Sequence, residues 1–257
     1  MKVATWNVNS VLARLPLVLR WLEEARPDVL CLQELKCTKE KFPADAFKEL
    51  GYNSAAFGQP TYNGVAIISR APIGEVRRGL HDDEEGAQAR LIAATVKGIR
   101  LVNVYIPNGQ AVGTDKYIFK LKWMLRLRKF FNAHYSISEK VLLCGDFNVA
   151  PEERDVHDPR LWEGKILFSQ RERAALEEIR KWGFDDAFRL QVEEGGHFSW
   201  WDYRQGSFRR NAGLRIDHIW ISAPLAKQLK SVWIAKEPRG WERPSDHTPV
   251  VAEFGKS

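Results

Sequence analysis

Short apolar runs bounded by Asn, Asp, Gly and Pro alternate with amphipathic segments along all 257 residues of the chain. Lys2 to Trp6 reads as a first strand. Leu15, Val18, Leu19 and Leu22 then recur at the three- and four-residue spacing of one helix face, and Arg26-Pro27 ends that helix. Val29 to Gln33 and Val65 to Ser69 read as buried strands, and Arg90 to Val96 with Ile99 to Tyr105 as a hairpin turning at Lys97-Gly98. A hairpin makes its sheet mixed rather than purely parallel.

Between Lys116 and Phe131, Phe119, Trp123, Leu127 and Phe131 repeat every four residues, while Lys116, Lys120, Lys122, Arg126, Arg128 and Lys129 occur without one acid. The pattern predicts a helix with a basic outer face. Later strands are expected over Val141 to Cys144, Leu214 to Ser222, Val232 to Ala235 and Val250 to Phe254, with a helix near Ser169 to Trp182. Strands in both halves predict one α/β domain over residues 1–257, a sandwich of two packed mixed β-sheets flanked by helices.

A chain of this size buries roughly three quarters of the surface it exposes when unfolded, so it needs no metal or disulfide merely to fold. The 39 Lys and Arg exceed the 33 Asp and Glu by six, which favours polyanionic partners. Cys31, Cys37 and Cys144 are odd in number, with Cys31 and Cys144 inside apolar runs, as expected for a reducing cytoplasm. The apolar runs fall short of the roughly 18 residues that a membrane span needs, and structure begins at once after Met1, so neither secretion nor membrane insertion is expected.

The polar residues sit at strand ends. Asn7 and Asn9 end the first strand, Gln33-Glu34 the second, Tyr105 the hairpin, and Asp146-Phe147-Asn148 follows Val141 to Cys144. Asp217-His218 interrupts an apolar strand and Asp246-His247 precedes the last one, so six segments can converge on one rim. Glu34 alone would read as a surface charge or a cap; with Asn7 and Asp246 it supplies the hard oxygen ligands that Mg2+ prefers. Asp146 and Asn148 place an acceptor for a water proton and an amide donor two residues apart on one loop, with Phe147 as its anchor. An unpaired Asp217 in an apolar strand would be costly, and His247 is the expected partner: a carboxylate fixes the imidazole tautomer and favours the protonated ring.

Trp6-Asn7-Val8-Asn9, Leu32-Gln33-Glu34, Asn63-Gly64-Val65-Ala66, Gly145-Asp146-Phe147-Asn148, Leu214-Arg215-Ile216-Asp217 and Ser245-Asp246-His247 together resemble the exonuclease III family of DNA-repair nucleases, nearly end to end and in order. The resemblance implies a four-layer α/β sandwich and hydrolysis of phosphodiesters in duplex DNA, as a 3'-5' exonuclease, an abasic-site endonuclease, or both. It implies Mg2+, with Mn2+ as an alternative, held by Glu34 with Asn7 and Asp246 nearby; a second ion would lie at Asp146 and Asn148. Asp146 would activate water, Asn148 position the water or phosphate, Tyr105 lie against the scissile phosphate, and the Asp217-His247 pair stabilise it. A monomer acting on abasic sites or 3' ends is the implied state.

For the polymer, Lys116 on the basic helix, Arg209 and Arg210 on a second basic stretch (Arg204 to Arg215), and Asn9, Asn108, Trp200, Leu214 and Leu167 are the candidate DNA contacts. Trp201 and Tyr203 are expected in the core, whereas Trp200 or Leu214 would wall a pocket for an extruded nucleotide or a terminal residue. Two positions depart from the family. Leu214 stands where some relatives have an aromatic residue, and Lys165-Ile166-Leu167-Phe168 puts bulk in a loop expected to face the substrate, which predicts a tilt toward 3' ends. The same motifs resemble inositol-phosphate phosphatases, sphingomyelinases and pancreatic deoxyribonuclease, the alternative phosphoesterases. Several of these carry His where Tyr105 stands.

Overall fold

A computed structural model describes residues 1–255. The chain begins with β1 (Lys2–Asn7), α1 (Val11–Ala25), β2 (Val29–Gln33), α2 (Ala44–Glu49), β3 (Asn53–Phe57) and β4 (Val65–Ser69). It continues through β5 (Gly74–Arg78), β6 (Leu91–Val96), β7 (Ile99–Tyr105), α3 (Asp115–His134) and β8 (Val141–Asp146). The last part contains α4 (Pro159–Trp162), α5 (Gln170–Arg180), β9 (Phe184–Asp186), β10 (Asp217–Ser222), α6 (Ala223–Ala226), β11 (Leu229–Ile234) and β12 (Val250–Phe254).

The strands form two six-stranded sheets, ordered β11-β12-β1-β2-β4-β3 and β5-β6-β7-β8-β10-β9. Each is antiparallel except at its centre, where β1 pairs with β2 and β7 with β8 in parallel. The apolar faces of the two sheets meet in one core layer, including Val3, Cys31, Ile67, Leu101, Leu142, Cys144 and Ile219. The outer face of the first sheet buries Trp6, Leu30 and Leu32 against Val18, Trp21 and Leu22 of α1. The outer face of the second buries Val102, Val104 and Leu143 against Trp123, Met124, Leu127 and Phe131 of α3 and Leu176 and Ile179 of α5. The predicted four-layer sandwich is the observed one.

A buried polar bracket joins the sheets just beneath the rim. Gln33 Nε2 donates to Thr5 Oγ1 at 2.8 Å and to Asn103 Oδ1 at 2.7 Å, and Asn103 Nδ2 donates to the carbonyls of Leu32 and Ala66, each at 2.9 Å. The Gln33 nitrogen and the Asn103 amide are hydrogen-bonded, although Gln33 Oε1 is buried without a partner, and the bracket fixes β2 against β7.

The structure alters the reading of the α3 helix. Lys120 is fully buried: its ammonium pairs with Glu172 of α5 and donates to the carbonyls of Asn108 (3.1 Å) and Asn148 (2.7 Å). Arg126 is clamped by Asp82 and Asp83 at 2.8 and 2.7 Å. The helix therefore does not present one uniformly basic face, because acids distant in sequence neutralise part of it. Its exposed surface includes Ile118, Phe119 and Leu125, although Phe119 had the spacing of a core residue. The second basic stretch is also divided: Arg209 and Arg210 are exposed, but Arg215 is buried between Asp155 and Asp186.

Candidate active site

The parallel pairs explain where the polar side chains meet. Neighbouring parallel strands end on the same side, so Asn7 and Gln33-Glu34 leave the first sheet beside each other, and Tyr105 and Asp146, paired in register, leave the second. The antiparallel strand β10 starts at that edge, with Asp217 paired opposite Asp146. Residue 247 precedes β12, which runs antiparallel to β1, and so enters from the same side. Six sequence-distant segments thus share one rim.

Gly145 lets β8 run close against β7 just before Asp146. Its φ is 141°, and a Cβ there would lie 1.9 Å from the Val104 carbonyl oxygen of β7. Beyond it, Asn148 N–H donates to Asp146 Oδ1 at 2.8 Å, and Phe147 is fully buried. Asp146 Oδ2 accepts from Asn7 Nδ2 at 2.9 Å and Asn148 Nδ2 at 3.1 Å, and lies 3.7 Å from His247 Nε2. The Asn148 amide also donates to the Ile106 carbonyl, and its oxygen accepts from Asn108 Nδ2 at 3.0 Å.

His247 Nδ1 donates to Asp217 Oδ2 at 2.8 Å, and Ser199 Oγ donates to the same oxygen at 2.6 Å. Burial alone would depress the His247 pKa, but the charges of Asp217, Asp146 and Asp246 raise it to about 10, so the ring is an imidazolium at neutral pH. Asp146 responds oppositely. Burial, reinforced by Asp217 and Glu34, raises its carboxyl to about 7 despite the nearby imidazolium.

Glu34 is held at φ 54°, with Oε1 accepting from Asn7 Nδ2 at 3.0 Å and Oε2 paired with Lys36 at 2.8 Å. Burial works against its ionisation, but Lys36 and Asn7 outweigh it and lower the pKa. Asn7 Oδ1 accepts from the Asn9 N–H, which turns its amide nitrogen toward Glu34 and Asp146. Asp246 accepts from Asn9 Nδ2 and Trp200 Nε1, each at 3.0 Å. Tyr105 lies beside Glu34 and Asp146; burial pushes its phenol well above the ordinary value.

Asp146, Asp217 and His247 have ligand-type atoms within 4.8 Å of one another, close enough to hold a metal ion. Both nitrogens of a protonated His247 are donors, however, so an ion there would have to displace the ring's proton. The carboxylates of Glu34 and Asp246 are hard oxygen donors of the kind that suits a hard divalent ion, whereas Asn7 presents its amide nitrogen, not its oxygen, to Glu34.

The DNA candidates divide. Asn9, Asn108, Arg209, Arg210 and Lys116 are at least partly exposed, and Trp200 is half-buried. Leu214 and Leu167 are not surface groups: Leu214 is 0% and Leu167 5% exposed, packed with Ala150, Val156, Phe168 and Ile216 under Trp162, Ile166 and Trp200. Leu167 points inward because its backbone takes φ 72° while its N–H is held by Glu172 and its carbonyl by Ala150. Tyr203, expected in the core, is half exposed; it accepts from Asn9 and donates to the Pro244 carbonyl at 3.0 Å. Trp201 is fully buried, as expected.

Sequence reasoning did not single out Lys36, Arg90 or Ser199. Arg90 places its guanidinium 4.8 Å from the Tyr105 ring centre and donates to the Tyr105 carbonyl. A cation opening an apolar strand at the hairpin end opposite the turn was its one visible signal.

A two-sheet sandwich that gathers buried carboxylates, amides and an imidazolium at the ends of its parallel strands has the equipment of a phosphoesterase. The chain belongs to the endonuclease/exonuclease/phosphatase family, which matches residues 4–247. It is 35% identical to exodeoxyribonuclease III of Haemophilus influenzae, over 99% of this chain and 100% of that protein. Exodeoxyribonuclease of Bacillus subtilis is 31% identical, over 97% and 98% of the two chains. Among solved structures, a 3' phosphatase from Neisseria bound to a product DNA hairpin superposes with a TM-score of 0.96 at 44% identity, covering 100% of both chains. An AP endonuclease from Archaeoglobus fulgidus gives 0.95 at 38%, covering 99% of each.

Proposed function

We infer that the chain is a hydrolytic DNA-repair nuclease of the exonuclease III type, and propose that it acts chiefly at 3' ends with a divalent ion, Mg2+ or Mn2+. The observation that carries this reading is the Asp146–His247–Asp217 unit: a buried carboxylate with a pKa near neutrality beside an imidazolium held by a second carboxylate. Asp146 takes the proton from the attacking water as in-line displacement begins. The protonated His247 stabilises charge on the phosphoryl oxygens, and Asp217 keeps its tautomer fixed. Asn148 and Tyr105 position the phosphate. Glu34, with Asp246 and Asn7 nearby, would hold an ion that neutralises phosphate charge and assists departure of the 3' oxygen. Asn9, Asn108, Lys116, Trp200, Arg209 and Arg210 would touch the polymer.

Preference for 3' ends rests on the wall beside the rim. The indoles of Trp162 and Trp200 meet edge to face at 6.4 Å, above the buried Leu167 and Leu214. Side chains packed against one another leave less room for an extruded sugar than for a terminal residue lying across the rim. The test is a 5'-labelled duplex with one internal abasic analogue and a recessed 3' end, resolved on a denaturing gel with Mg2+ and with EDTA. A Mg2+-dependent ladder receding from the 3' end is expected. A single product at the abasic position would overturn the preference, and intact DNA alongside hydrolysis of soluble inositol phosphates would overturn the nuclease reading.

A further inference from the structure

Lys36 sits among the groups that would hold the ion. Its Nζ is 2.8 Å from Glu34 Oε2 and also donates to Asn9 Oδ1, while Asn9 Nδ2 donates to Asp246 Oδ1. One ammonium therefore reaches both carboxylates of the candidate ion site, Glu34 directly and Asp246 through the Asn9 amide. The backbone is shaped to deliver it. Glu34 and Lys36 both adopt left-handed φ, 54° and 53°, a conformation that residues with a Cβ rarely take. Leu35 between them is buried, and the N–H groups of Leu35 and Lys36 donate to the carbonyls of Gly64 (3.1 Å) and Asn63 (2.9 Å). The Lys36 backbone is thus anchored beside Glu34, so the ion pair is a property of the loop.

The remaining carboxylate oxygens have neutral donors: Asn7 for Glu34 Oε1, Asn9 and Trp200 for Asp246. Glu34 Oε2 is the oxygen that meets a full positive charge. Two cations cannot share it closely without repulsion, even though both side chains are only partly withdrawn from solvent.

We propose that Lys36 is a resident counter-cation of the ion site: its ammonium neutralises Glu34 and steadies Asn9 when no divalent ion is bound, and leaves Glu34 Oε2 when one enters. Ion loading is then an exchange of cations. The ion-free protein gains stability from the pair, and affinity for the ion is lowered by the pair that must be broken. This rests on the reading of Glu34 as an ion ligand.

Mn2+ binding without DNA, followed by electron paramagnetic resonance, and melting of the ion-free and Mn2+-saturated protein test it. In Lys36→Met and Lys36→Gln the dissociation constant for Mn2+ should fall about tenfold. The melting temperature should drop by roughly 2–4 °C without the ion, and the deficit should vanish at saturating Mn2+. Lys36→Arg should stay near the parent, and Glu34→Gln should bind Mn2+ weakly. The amide of Lys36→Gln can still donate to Asn9, so Lys36→Gln guards against misfolding of Lys36→Met. Folded Met and Gln variants with unchanged or weaker Mn2+ affinity overturn the exchange while leaving Glu34 as a ligand. Undiminished Mn2+ binding by Glu34→Gln overturns both.

Discussion

His247 Nδ1 and Asp217 Oδ2 are 2.8 Å apart inside the protein, and the charge of Asp217, with those of Asp146 and Asp246, keeps the imidazole facing Asp146 in its cationic form up to about pH 10. Asp217→Asn keeps the shape and removes the charge. Loss of a properly charged and oriented acid–base partner should lower kcat about 10²–10⁴-fold, with a much smaller change in KM, in steady-state assays on a 3'-recessed duplex. A loss carried mainly by KM would place Asp217 in substrate binding instead.

The pH profile should be bell-shaped. Asp146, raised by burial to about 7, is protonated below that pH, so the rate should fall about tenfold per unit on the acid side. His247, raised to about 10, loses its charge above that pH, and the alkaline limb should descend there. His247→Gln should lack the alkaline limb. For stability the sign is that of a raised folded pKa: the contribution of His247 is complete below its unfolded value near 6.5 and lost as pH rises through about 10. Urea melts across pH 6–11 would read this.

The buried Lys120–Glu172 pair ties three loops together. Glu172 also caps α5, accepting from the N–H groups of Leu167 and Ser169, each at 3.1 Å. Lys120→Met should destabilise by about 3–5 kcal/mol because it strands a buried carboxylate, and Lys120→Met with Glu172→Gln should recover part of that loss. Urea unfolding of both variants measures it; equal stability of the two would mean that the stranded charge is not the source.

Leu167→Gly tests the end preference. Glycine accepts the positive φ without strain, while loss of the buried side chain loosens the packing under Trp162 and Trp200. The ratio of internal abasic cutting to terminal removal should rise several-fold. An unchanged ratio, on a gel scoring both products, would remove Leu167 from the explanation.

Much of this architecture is legible in the sequence because central strands buried on both faces are continuous apolar runs, as Val29–Gln33 and Val65–Ser69 show. The hairpin is equally plain, since Lys97 and Gly98 both take the left-handed φ of a tight turn. The edge strand Gly74–Arg78 escaped because it is mostly exposed and carries no apolar run, and Phe184–Asp186 because it has three residues. Asn53–Phe57 is masked by small side chains. Lys120 and Arg126 were misread for another reason: their acids lie 52 and about 44 residues away, and pairing over such separations leaves no local pattern. The site acids were visible as polar residues ending apolar strands. Lys36 was not, because only a left-handed turn brings it back beside Glu34.

The amide bracket of Gln33 and Asn103 lies one layer below the rim, and Asn7 and Glu34 ride on one sheet while Tyr105, Asp146 and Asp217 ride on the other. The separation of the two backbones that carry the halves of the candidate site is therefore set by the thickness of the hydrophobic core, and side chains such as Asn7 and Asp146 bridge it. On the reading proposed above, a methyl group added or removed between the sheets would change the reach of Asp146 toward an ion at Glu34, so core residues remote from the rim would become calibrating elements of the reaction.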